Sequence, residues 1–370
     1  MTDLPLTRAA IESGIRERLH LGAQLYVSRA GEVIADEAFG EAREGRMMER
    51  DFMTLWFSAG KPLTAAAIAR LVERGSLSWD TPVAEIIPEF AQNGKQDVTV
   101  RHLLTHTAGL RNADRVDDAL TWDEKLSWIC AQPLEPNWVP GQRAGYHVTG
   151  TWFVLGEIVR RLSGQSINDF FRAELFWPLE KNSTVLSLEP AESAKFHRLI
   201  AFLYDTSGGT PISKIDWNST EGLARCRPGG SARGPVRELG RFYEALLKGG
   251  EGVLRPETVA LMTSRQRVGM LDETFQYKMD WGLGFIINSN RDGFQMPYSY
   301  GAHASPETFG HSGNQISCGF ADPKHELVVA WVCNGMPGER KHQQRQRAIN
   351  NAVYEDLGLT GENSFKPLAP

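Results

Sequence analysis

The stretch "LWFSAGKPLTAAAIARLVERG", residues 55–75, decides how this 370-residue chain is read. Its Ala-rich centre predicts a buried helix, and Gly75 is placed to end it as a C′ residue. Ser58 and Lys61 open the helix three positions apart, on one face. One reading is a capping serine beside a solvated lysine. The other is a nucleophile beside its base, since a serine hydroxyl attacks only when a neighbour takes its proton. Lysine serves as that neighbour only if burial or a nearby cation lowers its pKa. S-x-x-K is a short pattern that recurs by chance, so the choice rests on the remainder of the chain.

Bulk composition narrows the field. A hydrophobic content of 41% and a charged content of 23% are those of a globular protein. No run of about 18 apolar residues exists, so a membrane partner is not expected. The net charge of −5 and the lack of basic runs interleaved with aromatics argue against nucleic acid. Acidic and basic residues interrupt "MTDLPLTRAAIESGIRERLHLGAQLYV" before an apolar stretch forms, which does not read as a secretory signal. Cys130, Cys226, Cys318 and Cys333 are widely spaced and read as reduced thiols. A cytoplasmic location is therefore expected. Nothing in the sequence specifies an oligomeric state.

Around the decisive helix the pattern alternates between strand and helix. "GAQLYVSR" (22–29) and "EVIADEAF" (32–39), joined by Ala30-Gly31, read as a hairpin. Apolar residues at helical spacing mark "VTVRHLLTH", "WDEKLSWICAQ", "GTWFVLGEIVRRLSG", "INDFFRAELF", "PVRELGRFYEALLKGG" and "RPETVALM". "WGLGFII", "ETFGHSG", "NQISCGFAD" and "ELVVAWVCNG" then read as consecutive antiparallel strands, before a closing amphipathic helix "QQRQRAINNAVYEDLG". The fold class expected is α/β (α+β): an antiparallel sheet flanked by helices, with a mostly helical insert. Residues 1–80 and 281–370 would form the sheet domain and 81–280 the helical one, with an active site at the seam.

Two further stretches bear on chemistry. Tyr146, in "PGQRAGYHVTGTW" (140–152), lies at a loop-to-helix junction, either packed or relaying a proton. "FGHSGNQIS" (309–317) contains the G-H-S-G start of a nucleophile elbow, but Asn314 stands where that motif needs glycine and strand-like sequence follows. Ser312 is therefore not read as a nucleophile. His102 and His106 in "RHLLTH" have metal-ligand spacing without the H-E-x-x-H glutamate, and "RPGGSARG" (227–234) lacks the lysine of a P-loop. A turn and cap before the next helix is the ordinary reading of the latter. Trp122, Trp138, Trp152 and Trp217 fall near these motifs, either as the wall of an apolar acyl pocket or as core.

Taken together, "FSAGKPLTAAAIARLVERGSLSWDTPVAEIIPEF", "VTVRHLLTHTAGL", "PNWVPGQRAGYHVTGTWFVLGEIVRRLSG", "PGGSARGPVRELGRFYEALLKGG" and "GHSGNQISCGFAD" resemble, in order, blocks of the class C β-lactamase-like serine hydrolases. That group includes penicillin-binding-protein-type esterases, D-aminopeptidases and acyltransferases, and the resemblance runs from about residue 20 to 355. It implies a β-lactamase/transpeptidase-like fold, with Ser58 as the acylated serine, Lys61 its partner and Tyr146 the tyrosine of the Y-x-N motif. His311, Ser312 and Gly313 match the third motif, K-T-G in lactamases and H-x-G in esterase-like members. The backbone N–H groups of Ser58 and Asn314 would form the oxyanion hole, and Val148 and Trp152 would join the substrate-binding set. Val148 replaces the motif's asparagine, and its side chain has neither donor nor acceptor to offer the lysine or a substrate amide. The expected activity is hydrolysis of small esters or thioesters through acyl-Ser58, with no metal or organic cofactor. Acyl transfer to an alcohol or amine, β-lactam or D-amino-acid amide hydrolysis, and an inactive binding homologue stand as alternatives.

Overall fold

The computed structural model describes residues 3–179, 183–213, 215–293 and 296–361. The outer ends of the expected terminal segments, 1–2 and 362–370, lie outside the described residues. An eight-stranded sheet organises the chain. Its strands are β1 (Gly22–Arg29), β2 (Glu32–Arg43), β3 (Arg46–Met47), β4 (Asp280–Trp281), β5 (Ile286–Ile287), β6 (Phe309–Gly313), β7 (Ser317–Asp322) and β8 (Leu327–Cys333). They lie in the order β4-β5-β6-β7-β8-β1-β2-β3, and every pairing is antiparallel. The join between the two ends of the chain is β1 against β8, from Ala23 opposite Cys333 to Arg29 opposite Leu327. Ala30 and Gly31, with φ of 51° and 81°, turn β1 into β2, the left-handed pair that a two-residue hairpin of this hand requires.

Both faces of the sheet are covered, and β8 shows how the sequence arranges it. Val328, Ala330 and Val332 point into the core shared with the helical layer. Leu327, Val329, Trp331 and Cys333 point into a second core beneath the terminal helices, the period of two expected of a strand. Helix α1 (Pro5–Arg16) packs there against the closing helix α5 (Glu339–Asp356). Asp356 accepts from the main-chain N–H groups of Leu6 and Thr7 at 3.0 and 2.8 Å, supplying the side-chain cap that Leu4 cannot. Sequence reading overlooked α1 because its buried stripe is only Thr7, Ile11 and Gly14.

On the other face, α2 (Lys61–Glu73) runs between the sheet and helix α3 (Gly150–Ser163), with α4 (Val236–Leu247) beside it against β1, β7 and β8. Lys61 through Ala69 and Leu71 of α2 are all buried, the pattern of a helix enclosed on every side. Gly75, φ 73°, follows its C-cap as expected. The expected helix start differs by one feature: Phe57–Gly60 forms a 3₁₀ turn, and the α-helix proper begins at Lys61. "WGLGFII" is two short strands rather than one, interrupted at Gly284 (φ 85°), where a Cβ would lie 2.4 Å from that of Ala65.

Strand β6 is pressed against the 3₁₀ turn. A Cβ on Gly313 would lie 2.1 Å from the Trp56 carbonyl oxygen and 2.2 Å from Ser317 Oγ. Ser317 Oγ itself donates to that carbonyl at 2.6 Å. Gly313→Ala therefore overpacks a backbone-to-backbone contact, and a loss of about 1–3 kcal/mol of stability is expected in chemical denaturation.

Candidate active site

Ser58 stands in the 3₁₀ turn leading into α2, its side chain nearly buried at 9% exposure. Phe57 before it has φ of 46°, a left-handed conformation that is costly for a bulky residue and recurrent at functional sites. In a 3₁₀ turn, side chains three apart eclipse one another, which aligns position 58 with position 61. Lys61, wholly buried, donates from Nζ to Ser58 Oγ at 3.1 Å, to the Val148 carbonyl at 2.8 Å and to the Gly229 carbonyl at 2.8 Å. The Tyr146 hydroxyl donates to the same Ser58 Oγ at 2.8 Å. Lys61, one turn along, and Tyr146, far away in sequence, thus meet at the Ser58 oxygen.

The electrostatics favour a lysine that gives up its proton. Burial lowers the Lys61 pKa to about 7, against the smaller opposing effect of Asp114. In the amine form two N–H bonds serve the two carbonyls, and the lone pair is left for Ser58 Oγ. Burial raises the Tyr146 phenol, keeping it protonated as a donor. Burial, followed by the Lys61 charge, lowers the His311 pKa to about 3, so its imidazole is neutral.

Several residues that sequence reading missed hold this arrangement. Asp114 accepts from the N–H groups of Val148, Thr149 and Gly150, each at 2.7 Å, fixing the turn that presents the Val148 carbonyl. Asp272 accepts the Tyr146 N–H at 3.0 Å and is paired with buried Arg267 at 3.0 Å. The 227–234 loop is more than a turn and cap: its Gly229 carbonyl is a lysine ligand, and a Cβ there would lie 3.0 Å from Lys61 Nζ. Backbone acceptors leave no mark on residue identity. Asp114, in the 3₁₀ turn Arg111–Arg115, lies far in sequence from the turn it holds and carried no motif signal either.

Two cavities open on Ser58. One, of about 260 Å³, is walled by Phe57, Trp217, Met336 and the Arg227–Gly230 loop. The other, of about 240 Å³, is walled by Tyr146, Phe275, Ile286, Tyr298, His311 and Ser312. Val148 and Asn314 border both. Two expectations need correction. Trp152 does not line either cavity; it is fully buried below Lys61, whose Nζ lies 5.2 Å from its ring. Val148, half-exposed, lacks a polar side chain, yet its carbonyl supplies the lysine contact that the asparagine was expected to take with it.

The remaining candidates fall as follows. Ser312 lies on β6, followed by β7 and not by a helix, and its Oγ accepts from Gln346 at 3.1 Å. Gly313 is the close-contact position already described. His102 takes part in the cap of helix Val100–Leu104, and His106 stacks on His147. Of the other tryptophans, Trp217 meets Phe57 edge-on at 4.8 Å in the cavity wall, whereas Trp138 is core beneath Arg143. All four cysteines are free thiols. Among the described residues no helix is long and apolar enough to cross a membrane.

An antiparallel sheet carrying helices on both faces, with serine, lysine and tyrosine converging where a 3₁₀ turn packs on β6, is a β-lactamase/transpeptidase-like fold. The beta-lactamase family model matches residues 8–354, and the chain belongs to that family. Esterase EstB of Burkholderia gladioli is 30% identical over 312 residues, covering 75% of this chain and 78% of its own. Esterase/beta-lactamase LipL of Mycobacterium tuberculosis is 27% identical, with 77% and 70% covered. The crystal structure of a family VIII carboxylesterase superposes with a TM-score of 0.80 at 26% identity, covering 95% of this chain and 97% of that one.

The Lys61 titration is directly measurable. With ¹³C-labelled lysine, one ε-carbon resonance should titrate with a midpoint near 7. Because Asp114 opposes the lowering, Asp114→Asn should move that midpoint further down; an unchanged or higher midpoint would show the carboxylate has no electrostatic hold on the lysine.

Proposed function

We propose that this protein is a serine hydrolase of small esters that works through an acyl-Ser58 intermediate. The observation that carries the reading is the convergence of Lys61 Nζ and the Tyr146 hydroxyl on Ser58 Oγ, at 3.1 and 2.8 Å. The Lys61 amine takes the Ser58 proton as Oγ forms a bond to the substrate carbonyl carbon. The N–H groups of Ser58 and Asn314 hold the oxyanion, a contribution on the order of 3 kcal/mol per donor. As the bond to the leaving oxygen breaks, Tyr146 gives that oxygen its proton and regains one from the Lys61 ammonium. Water then attacks acyl-Ser58 by the same relay in reverse, releasing the acid and restoring the hydroxyl.

Ester substrates are favoured over lactams by two features of the site. Val148 offers no side-chain amide, and a neutral His311 brings no charge to a substrate carboxylate. The likeness to EstB supports the same choice, and the double name of LipL keeps lactam hydrolysis as a comparison to run. Transfer of the acyl group to an alcohol is a second reading, favoured by the separate cavity on the Tyr146 side, which has room for an acceptor.

A panel of p-nitrophenyl esters assayed beside nitrocefin, with and without an alcohol, tests these readings. Esterase turnover should exceed nitrocefin turnover, and a fluorophosphonate should label Ser58. Absence of an adduct in folded protein would favour a binding homologue instead. Ser58→Ala should reduce kcat/KM at least about 1,000-fold. Lys61→Arg, which cannot deprotonate, should be as damaging. Since the base acts as the neutral amine, kcat/KM should climb as pH rises through about 7 and fall tenfold per unit below it.

A further inference from the structure

The larger cavity beside Ser58 has an apolar wall on one side and the ion-paired Arg227 and Asp118 on the other. Arg227 borders it, with its guanidinium 4.1 Å above the Trp217 ring. Arg227 Nε and Nη2 each donate to Asp118 at 2.9 Å, but Nη1 is buried and has no partner. Behind Trp217, Arg233 is buried at 3% exposure and donates from Nη2 to the Trp217 carbonyl. Its Nη1 is also unpartnered, and among the described residues it makes no ion pair. Lys125 donates to the Asp118 main-chain carbonyl at 3.0 Å, with 3.9 Å to its carboxylate.

Arg227 and Lys125 thus share the Asp118 carboxylate, while the Arg233 guanidinium behind Trp217 has no carboxylate partner among the described residues. Burial alone would raise Asp118, yet Arg227, Lys125 and Arg225 hold its carboxyl below the ordinary value. Burial, then Arg227, pulls Arg233 down to about 9, the mark of a cation lacking compensation. An unpaired buried charge is costly unless an opposite charge joins it. A purely aliphatic acyl group would leave that cost in place, whereas an anionic one would relieve it by charge-assisted hydrogen bonds.

We propose that this cavity takes an acyl group ending in a carboxylate, bound by the unpartnered Nη1 of Arg227, so that the preferred substrates are half-esters of dicarboxylic acids. The inference rests on the acyl-Ser58 reading and names the substrate class for it. Three activated esters of similar length separate the terms: the p-nitrophenyl esters of hexanoic acid, of monomethyl adipate and of adipic acid. The free-carboxylate ester should show kcat/KM at least about tenfold above both neutral ones, the scale of one charged hydrogen bond. Arg227→Gln should collapse that ratio towards one. Equal rates for the anionic and methylated esters in the unaltered protein would overturn the proposal while leaving the esterase reading standing.

If no ester is turned over, the hydrolase reading falls, and binding to Ser58→Ala protein decides the inference by itself. Calorimetry should then find monomethyl adipate at least about tenfold tighter than dimethyl adipate. Equal affinities, or no binding of either, would overturn it.

Discussion

Everything about this site depends on an ammonium-bearing side chain enclosed where water does not reach it. A lysine in such a place must find acceptors or lose its proton, and Lys61 does part of each. Two main-chain carbonyls, from Val148 and Gly229, hold the nitrogen in place without adding negative charge. Neutral acceptors satisfy N–H bonds yet do little to stabilise the cation, which is why burial prevails and the pKa falls. A carboxylate in either position would have produced an inert ion pair. Asp114 is kept one step back, spending its oxygens on three amide N–H groups.

The same economy explains the backbone around Ser58. The 3₁₀ turn eclipses Ser58 with Lys61, and the left-handed Phe57 lets the chain leave the short strand Thr54–Leu55 and enter that turn. Gly313 lets β6 approach to within contact of the Trp56 carbonyl, bringing Asn314 to the rim of both cavities. The sheet and the helical layer therefore meet through backbone at Ser58, and side chains then fill the cavities on either side.

This division between backbone and side chain also decides how much was legible in the sequence. The buried helix, its glycine stop, the β1–β2 hairpin and the strands from "ETFGHSG" onward follow from periodicity and turn residues and formed where expected, whereas "WGLGFII" broke at Gly284. Ser58, Lys61 and Tyr146 were visible because their chemistry resides in side chains arranged in motif order. The Val148 and Gly229 carbonyls were not, since any residue carries a carbonyl. Asp272 and Arg267 were hidden for another reason: a buried ion pair five residues apart looks like any surface pair until the fold encloses it. Trp152 misled because a large aromatic near a motif is equally suited to wall and to floor, and only packing against Gly229 and Gly284 settles on the floor.

The pairing of β1 with β8 bears on how the protein comes into being. Ala23 and Cys333 are neighbours in the finished sheet but lie far apart along the chain. A ribosome that has released the first three hundred residues holds a chain already containing the serine, the lysine and the tyrosine, yet lacking β6, β7 and β8. Contacts of such high sequence separation form late and slowly. Until β6 has been made, Ser58, Lys61 and Tyr146 therefore lack the strand that packs against the 3₁₀ turn.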